Sequence, residues 1–559
     1  MKLQQKLYHY GYAAFTLKPS QIYWYALRRG LKDRKRYDFT VAQPLHADVG
    51  SCEFLAYTMG ASQPQHFRFL NRERAYDLDQ MDWSADEMPR LWRYNLHYFD
   101  YLQDTALSDD DKRQLMTDWV RQNPVGSVTA WEPYTLSLRV VNWIKFLLTQ
   151  DDAAITPDIL GSLSQQVDWL TKNLEWHILA NHLFKNLKAL VFAGCCLDGE
   201  AAKSWWASAE KHTLKQLDEQ TLSDGGHYER SPMYHCLFLE DLLDMLQLVQ
   251  RRSPDSVFAK RLRERATAAA LFLRDITLPG GNIPLFNDAA FGIAPAPRVL
   301  MDYANRVLND DLDDTRHHPE HQAFLDSGYF VLGDGADRMV IDCGETGPRY
   351  QPGHTHCDTL SFELTVAGAP LIVNSGTYDY EPGPRRTFDR STQAHNTVRI
   401  DQQEQSEVWG LFRVARRARP VTARLETTRD GTIAFLGAHD GYQRLSSAVS
   451  HQRAVTCSPG KSWRVLDTLN GAGKHTLESF IHLHPDVHLT THDQRLILTA
   501  PDGHTLAEIT VIGEVEVVVS ESVYHPEFGV ELPNTEICLR MQTSLPVSFG
   551  YEIRVAGTN

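Results

Sequence analysis

The segment Gly353-His354-Thr355-His356-Cys357-Asp358 sets two imidazoles two residues apart, just ahead of an apolar run from Thr359 to Val373. On an extended chain, residues i and i+2 face the same side, so His354 and His356 can share one ligand or one substrate. Asn374 and then Ala394-His395-Asn396 follow, and they add amides and a third imidazole. Three imidazoles closed by an oxygen donor are compatible with zinc or a similar divalent ion. Two histidines on one strand are more often ordinary surface residues. Here they have chemically capable company.

The first half of the chain holds three more clusters. Trp92-Arg93-Tyr94-Asn95-Leu96-His97-Tyr98-Phe99 and Trp131-Glu132-Pro133-Tyr134 offer flat rings with polar edges, suited either to stacking on sugar faces or to packing between helices. Asn181-His182 sits inside a helical pattern, where asparagine has poor propensity and needs a reason to be present. That reason is a cap, a buried hydrogen bond or recognition of a carboxylate. Asp224 to His235 gathers seven titratable side chains, Glu229, Arg230, Tyr234 and His235 among them, against a Gly225-Gly226 turn.

Two kinds of element must position these groups. From about Met88 to Ile276 apolar residues recur at helical spacing, as in Leu136, Val140, Trp143 and Leu147. From about Phe324 onward, β-branched and aromatic residues alternate with polar ones, as in Arg338-Met339-Val340-Ile341-Asp342. Helices first and strands second, without β-α-β alternation, imply an α+β multidomain chain rather than a doubly wound sheet. The boundary is expected between Pro295 and Ala323, giving a helical unit over 1–320 with an N-terminal extension and a sheet unit over 321–559. The helices come in successive antiparallel pairs, as an α/α toroid or a bundle requires.

A length of 559 residues exceeds what one hydrophobic core usually serves. The net charge of −15 argues against a general nucleic-acid binder. It leaves room for anionic sugars, because a local cluster of cations in a cleft can oppose the global sign. Eight cysteines, including adjacent Cys195-Cys196, read as free thiols rather than a disulfide framework. The N-terminus has no signal-peptide pattern and no run is long enough to span a bilayer, so a cytoplasmic location is expected for the chain as written, or a periplasmic one if a leader was removed.

Taken in order, Asn181-His182, the Gly225 to His235 segment, Gly353 to Phe362, Asn374-Ser375-Gly376-Thr377-Tyr378 and Arg390 to Val398 resemble the heparinase II/III-like polysaccharide lyases, which include related alginate lyases. The resemblance implies an N-terminal (α/α) toroid, a C-terminal antiparallel β-sandwich and a cleft between them. It implies β-elimination across C4 and C5 of a uronic acid in an acidic polysaccharide such as a glycosaminoglycan, alginate or bacterial exopolysaccharide. Carried over residue by residue, Asn181 and His182 neutralise the uronate carboxylate, and Tyr234 and His354 transfer protons. Tyr378 or Tyr380 serves as a further phenol. Trp92, Asn95, His97, Trp131, Tyr134, Arg230 and His235 are expected to contact substrate, with Arg93, Arg139, Arg349, Arg385 and Arg386 available for sulfate. The metal set of the resemblance falls on His356, Asn374 and His395, for zinc or manganese, with Asn374 standing where an aspartate is expected. Rival readings are a toroid glycoside hydrolase, for which Glu132, Glu175 and Glu229 are available, and a glycan-binding or exopolysaccharide-assembly protein without activity.

Overall fold

The computed structural model describes residues 3–30, 52–57, 62–63, 66–151, 155–312, 321–458, 460–492 and 495–557. Two short helices, α1 (Leu3–Thr16) and α2 (Pro19–Gly30), open the chain, and a three-stranded meander of β1 (Ser62–Gln63), β2 (His66–Phe69) and β3 (Arg72–Ala75) follows. Among the described residues nine further α-helices run from α3 (Arg90–Tyr98) through α4 (Asp109–Gln122), α5 (Pro133–Leu147), α6 (Pro157–Thr171), α7 (Ala180–Cys196), α8 (Glu200–Gln220), α9 (Pro232–Arg252) and α10 (Val257–Ile276) to α11 (Pro297–Leu308). Several open on an N-cap hydroxyl or a first-turn proline: Ser231 accepts from the Tyr234 N–H ahead of Pro232, and Thr156 caps α6 ahead of Pro157. Their apolar stripes close one core that includes Trp92, Trp119, Trp143, Leu190 and Leu246.

The strands begin with an antiparallel five-stranded sheet, β4 (Gln322–Phe324), β5 (Tyr329–Asp334), β6 (Asp337–Asp342), β7 (Phe362–Val366) and β8 (Ala369–Ile372). The expected boundary at 320/321 closes residues 313–320, which lie outside the described residues. A short helix, α12 (Pro384–Asp389), leads to β9 (Val398–Ile400) and to a two-stranded hairpin, β10 (Val408–Trp409) and β11 (Arg413–Val414). An eight-stranded antiparallel sheet and a four-stranded one containing β9 complete the chain. Strand β14 (Val449–Ser458) shows the logic: buried and half-buried positions alternate along its whole length, so one face meets Phe330, Phe362 and Leu469 in the second core. A third cluster, with Phe272 and Ile276 of α10 against Tyr329, Val331 and Val340, joins the helical layer to the first sheet.

One charged pair sits inside the sandwich. Arg453 grips Asp467 with two 2.8 Å hydrogen bonds and donates from its remaining nitrogen to the carbonyls of Leu360 and Asn396, all buried. These carbonyls belong to the loops that follow His354-His356 and His395, so the pair fixes both loops on the sheet. Arg453→Met should lower unfolding stability by about 3–5 kcal/mol, because it removes the cation from a buried carboxylate and leaves it only His451 at 2.8 Å and Ser479 at 3.5 Å. Denaturant melts check this, and a loss below about 1 kcal/mol refutes it.

Candidate active site

The helical and sheet layers meet where α7, α9, the loop after α10 and the loop after β6 converge. Leu179 and Ala180 both take positive φ, 68° and 54°, immediately before Asn181. Non-glycine residues held there store strain that surrounding contacts must hold in place. The holding contact is Glu229: its carboxylate accepts the Asn181 N–H at 2.8 Å and the Asn181 amide at 3.0 and 3.1 Å. It thereby satisfies a donor at the start of α7, where the helix dipole favours an anion. The Gly-Gly turn lets the Glu229 segment approach, since a Cβ on Gly226 would lie 2.0 Å from Ser327 Oγ and one on Gly225 2.3 Å from the Ala268 carbonyl.

His354 stands between two acids. Its Nε2 lies 3.1 Å from Glu229 and its Nδ1 3.0 Å from Asp288. Burial pulls the imidazole pKa down, but the hydrogen bonds and charges of both carboxylates outweigh it and raise the value to about 9. His354 is therefore an imidazolium at neutral pH, donating from both nitrogens. Burial likewise opposes ionisation of Glu229, yet the hydrogen bond and charge from His354 hold its carboxyl at about 2. Asp288 is shared further: Arg386 donates to both of its oxygens and His356 Nε2 to one at 2.8 Å.

The ring of Tyr234 stacks on the His354 imidazole, with centroids 3.8 Å apart. Its hydroxyl meets that of Tyr380 at 3.2 Å. Tyr134 lies against His182, 4.5 Å between ring centres, and His182 Nδ1 pairs with Glu175 at 3.2 Å. Tyr134, Asn181, His182, Tyr234, His354 and Tyr380 are only half-buried, whereas Glu229, Asp288, His356 and Arg386 beneath them are fully buried. A ligand at the seam reaches the first group and not the second.

The structure brings together Asn181, His182, Tyr234, His354 and Tyr380 of the expected catalytic set. Tyr378 is elsewhere: its ring packs on His525 and under Arg385. Among the expected substrate contacts only Tyr134 borders the cleft. Trp92 and Trp131 are core residues whose indoles donate to the carbonyls of Arg72 and Asn123, and Asn95 donates to its own helix at the Leu91 carbonyl. His97 accepts from the Trp119 indole, His235 contacts the Ala269 carbonyl, and Arg230 is tied to the carbonyls of Tyr228 and Asp326. Helical packing outcompeted sugar stacking for these rings because large aromatics gain most when fully buried. Of the arginines set aside for sulfate, four are engaged: Arg93 with Asp86, Arg139 with Gln166 and the His97 carbonyl, Arg385 with Glu531 and Arg386 with Asp288. Asp288 is the residue that sequence reasoning missed. It lies in an apolar Leu-Phe-Asn-Asp-Ala-Ala stretch, where an isolated carboxylate was the available signal.

The set expected to hold a metal is incomplete. His356 Nδ1 and His395 Nε2 are buried without hydrogen-bond partners, and their rings are 5.3 Å apart. That much suits a metal. The Asn374 oxygen, however, already accepts from Ser361 Oγ at 2.7 Å and faces His395 Nδ1 at 3.1 Å. Asp358, the available carboxylate nearby, accepts from the Asn287 N–H at 2.6 Å. Among the described residues no group of three or more His, Cys, Asp or Glu could hold an ion. These residues do not fit a resident zinc or manganese ion, and no chemical step below uses one.

Two tests follow. Because the folded pKa of His354 is raised, the stability it contributes is present below its ordinary value near 6.5 and is lost as pH rises through about 9. Wild-type melting temperature should fall across that window. Asp288→Asn should cost about 3–5 kcal/mol at neutral pH and flatten the alkaline decline; an unchanged slope refutes the ionic assignment. For the incomplete metal set, elemental analysis should find substoichiometric metal in the wild type and a stoichiometric content in Asn374→Asp, whereas a fully loaded wild type would show the amide to be ligand enough.

Residues 28–305 match the heparinase II/III N-terminus family and residues 316–555 match the heparinase II/III-like, C-terminal family. A heparin-sulfate lyase of Pedobacter heparinus is 24% identical over 509 residues, covering 81% of this chain and 74% of that one. One from Bacteroides stercoris is 23% identical over 58% of this chain, which spans only 56% of its length. The FtsZ-localized protein C of Caulobacter vibrioides is 28% identical over 56% of this chain and 52% of its own. The crystal structure of heparinase III superimposes with a TM-score of 0.71 at 18% identity, over 96% of this chain and 90% of that one. With both of its halves matched in order, this chain belongs to the heparinase II/III-like family.

Proposed function

We propose that the protein is a polysaccharide lyase that cleaves a uronate-containing acidic polysaccharide by β-elimination. The observation that carries this reading is the half-buried trio of Tyr234 stacked on the His354 imidazolium with the Asn181 amide alongside. The C5 hydrogen of a uronate is too weakly acidic until the C6 carboxylate is neutralised, so donors and positive charge must face that carboxylate. The Asn181 amide, at the start of α7, supplies a donor, and the His354 imidazolium, whose two N–H groups are held by Glu229 and Asp288, supplies the positive charge. Burial holds the Tyr234 phenol well above its usual range, so it must lose its proton before the base step, the proton passing by way of the adjacent, half-buried Tyr380 hydroxyl to water at the cleft. The Tyr234 phenolate then takes the C5 proton. As the C4–O bond breaks and the C4–C5 double bond forms, the same phenol returns that proton to the leaving O4.

The heparin-sulfate lyases among its relatives favour a glycosaminoglycan. The engaged arginines favour a lightly sulfated one over a densely sulfated one. A hydrolase pair is not supported, because Glu229 is ionised and fully hydrogen-bonded and Glu175 is buried against His182 and Asn186.

Incubating the protein with heparan sulfate, heparin, hyaluronan, chondroitin, alginate and bacterial uronans, while following the ultraviolet absorbance of the new double bond, tests the reaction and ranks the polymers. Tyr234→Phe should lower kcat by about 10²–10⁴-fold with the melting temperature retained, and Asn181→Ala should do the same through loss of carboxylate stabilisation. Reducing ends without the chromophore would replace the lyase with a hydrolase, and binding without turnover would make the protein a glycan-binding member of its family.

A further inference from the structure

The N-terminal helices reverse the usual burial rule. In α1 and α2 the buried side chains are polar: His9, 4% exposed, stacks on Trp409, and Gln21, 2% exposed, reaches the carbonyls of His177, Ile178 and Tyr350. The apolar side chains point outward instead, with Leu7 64%, Tyr10 54%, Phe15 75%, Ile22 50% and Tyr23 60% exposed. Nine of the eighteen exposed large hydrophobic residues among the described residues fall between Leu7 and Tyr25. Scattered exposed apolar residues need no explanation, but a concentration of this kind marks an interaction surface.

Charge identifies the partner. Residues 1–30 contain Lys2, Lys6, Lys18, Arg28 and Arg29 and no Asp or Glu, in a chain whose net charge is −15; of these five, Lys18 pairs with Glu219 and Arg28 contacts His177, so those two face the protein and the positive excess of the segment rests on the other three. A short basic helix pair with exposed Leu, Ile, Phe and Tyr is the composition that lies in a lipid headgroup interface, the rings and aliphatic chains entering and the cations meeting anionic headgroups. Tyr8, Tyr10, Tyr23, Trp24 and Tyr25 carry flat rings with polar edges that suit a sugar face and a lipid headgroup belt alike, so the discrimination comes from Leu7, Phe15, Leu17 and Ile22, which offer a polysaccharide no hydrogen bonds and offer a bilayer apolar surface. We infer that α1 and α2 dock the protein on an anionic bilayer surface, without spanning it.

The same helices contact three loops of the cleft. Gln21 and Arg28 hold the 177–178 turn that leads to Asn181, Gln21 and Lys18 hold Tyr350 ahead of His354, and His9 and Tyr10 rest on the hairpin whose Phe412 packs against Tyr380. Docking therefore sets the cleft beside the bilayer. The inference is independent of the lyase reading.

Flotation of the full-length chain with phosphatidylcholine vesicles, with and without phosphatidylglycerol, tests it. Binding is expected only to the anionic vesicles, weakening as salt is raised. Leu7→Asp/Ile22→Asp should weaken it by about tenfold or more with an unchanged melting temperature, while Val128→Asp, at a still more exposed site in the helical domain, should not. No flotation, or flotation unaffected by Leu7→Asp/Ile22→Asp, would overturn the inference. So would a uronan affinity lost in that variant without any vesicle binding, which would make the face a substrate platform. A dimer in light scattering that the variant dissolves would reassign the face to a second copy.

Discussion

The Asp288 carboxylate is the interaction on which the site depends. It comes from the helical half, in the loop between α10 and α11, and all three side chains it holds, His354, His356 and Arg386, come from the sheet half. Its backbone adds to the joint, since its N–H donates to the His354 carbonyl at 2.9 Å and its carbonyl accepts from Ser231 at 2.6 Å. A fully buried anion is tolerable only when compensated this completely, and removal of the carboxylate itself leaves Arg386 as an uncompensated buried charge. The two layers are thus locked where the cleft opens, and the sandwich loops have one position relative to α7 and α9.

That lock also sets the charge state of the site. Two carboxylates, Asp288 and Glu229, keep His354 protonated, and Glu229 in turn holds the strained entry to α7 in place by accepting from Asn181. A chain with a strongly negative net charge thereby presents a local cation and a helix N-terminus to its cleft. An anion is repelled by the surface at large and attracted at this one seam, and the low dielectric of the buried layer beneath strengthens the local term.

Most of this was legible in the sequence where a residue type was out of place for its local pattern. Asn181 inside a helical stretch, His354 beside His356 and the crowded Asp224 to His235 segment all proved to be at the seam. The misreadings share a cause. Trp92, His97, Trp131 and His235 have the right chemistry for a sugar site, but aromatic and imidazole side chains are equally good core residues, and the sequence does not show which side of a helix faces its neighbours in a closed ring of helices. Asp288 showed only as a lone carboxylate in an apolar stretch, and its role was hidden for the opposite reason. Its partners lie 66, 68 and 98 positions away, and no local pattern reports a pairing at that range.

The amide at position 374 follows the same electrostatic logic. Glu363 is buried beside it, accepting from the backbone N–H groups of Leu285 and Asn374, and burial lifts its pKa to about 7 despite those bonds. A second carboxylate at 374 would add a like charge to a site already reluctant to ionise, and it would be tolerable only with a cation between the imidazoles of His356 and His395. An amide removes that requirement. Its oxygen accepts from Ser361 and His395, so the loops stay braced by neutral hydrogen bonds.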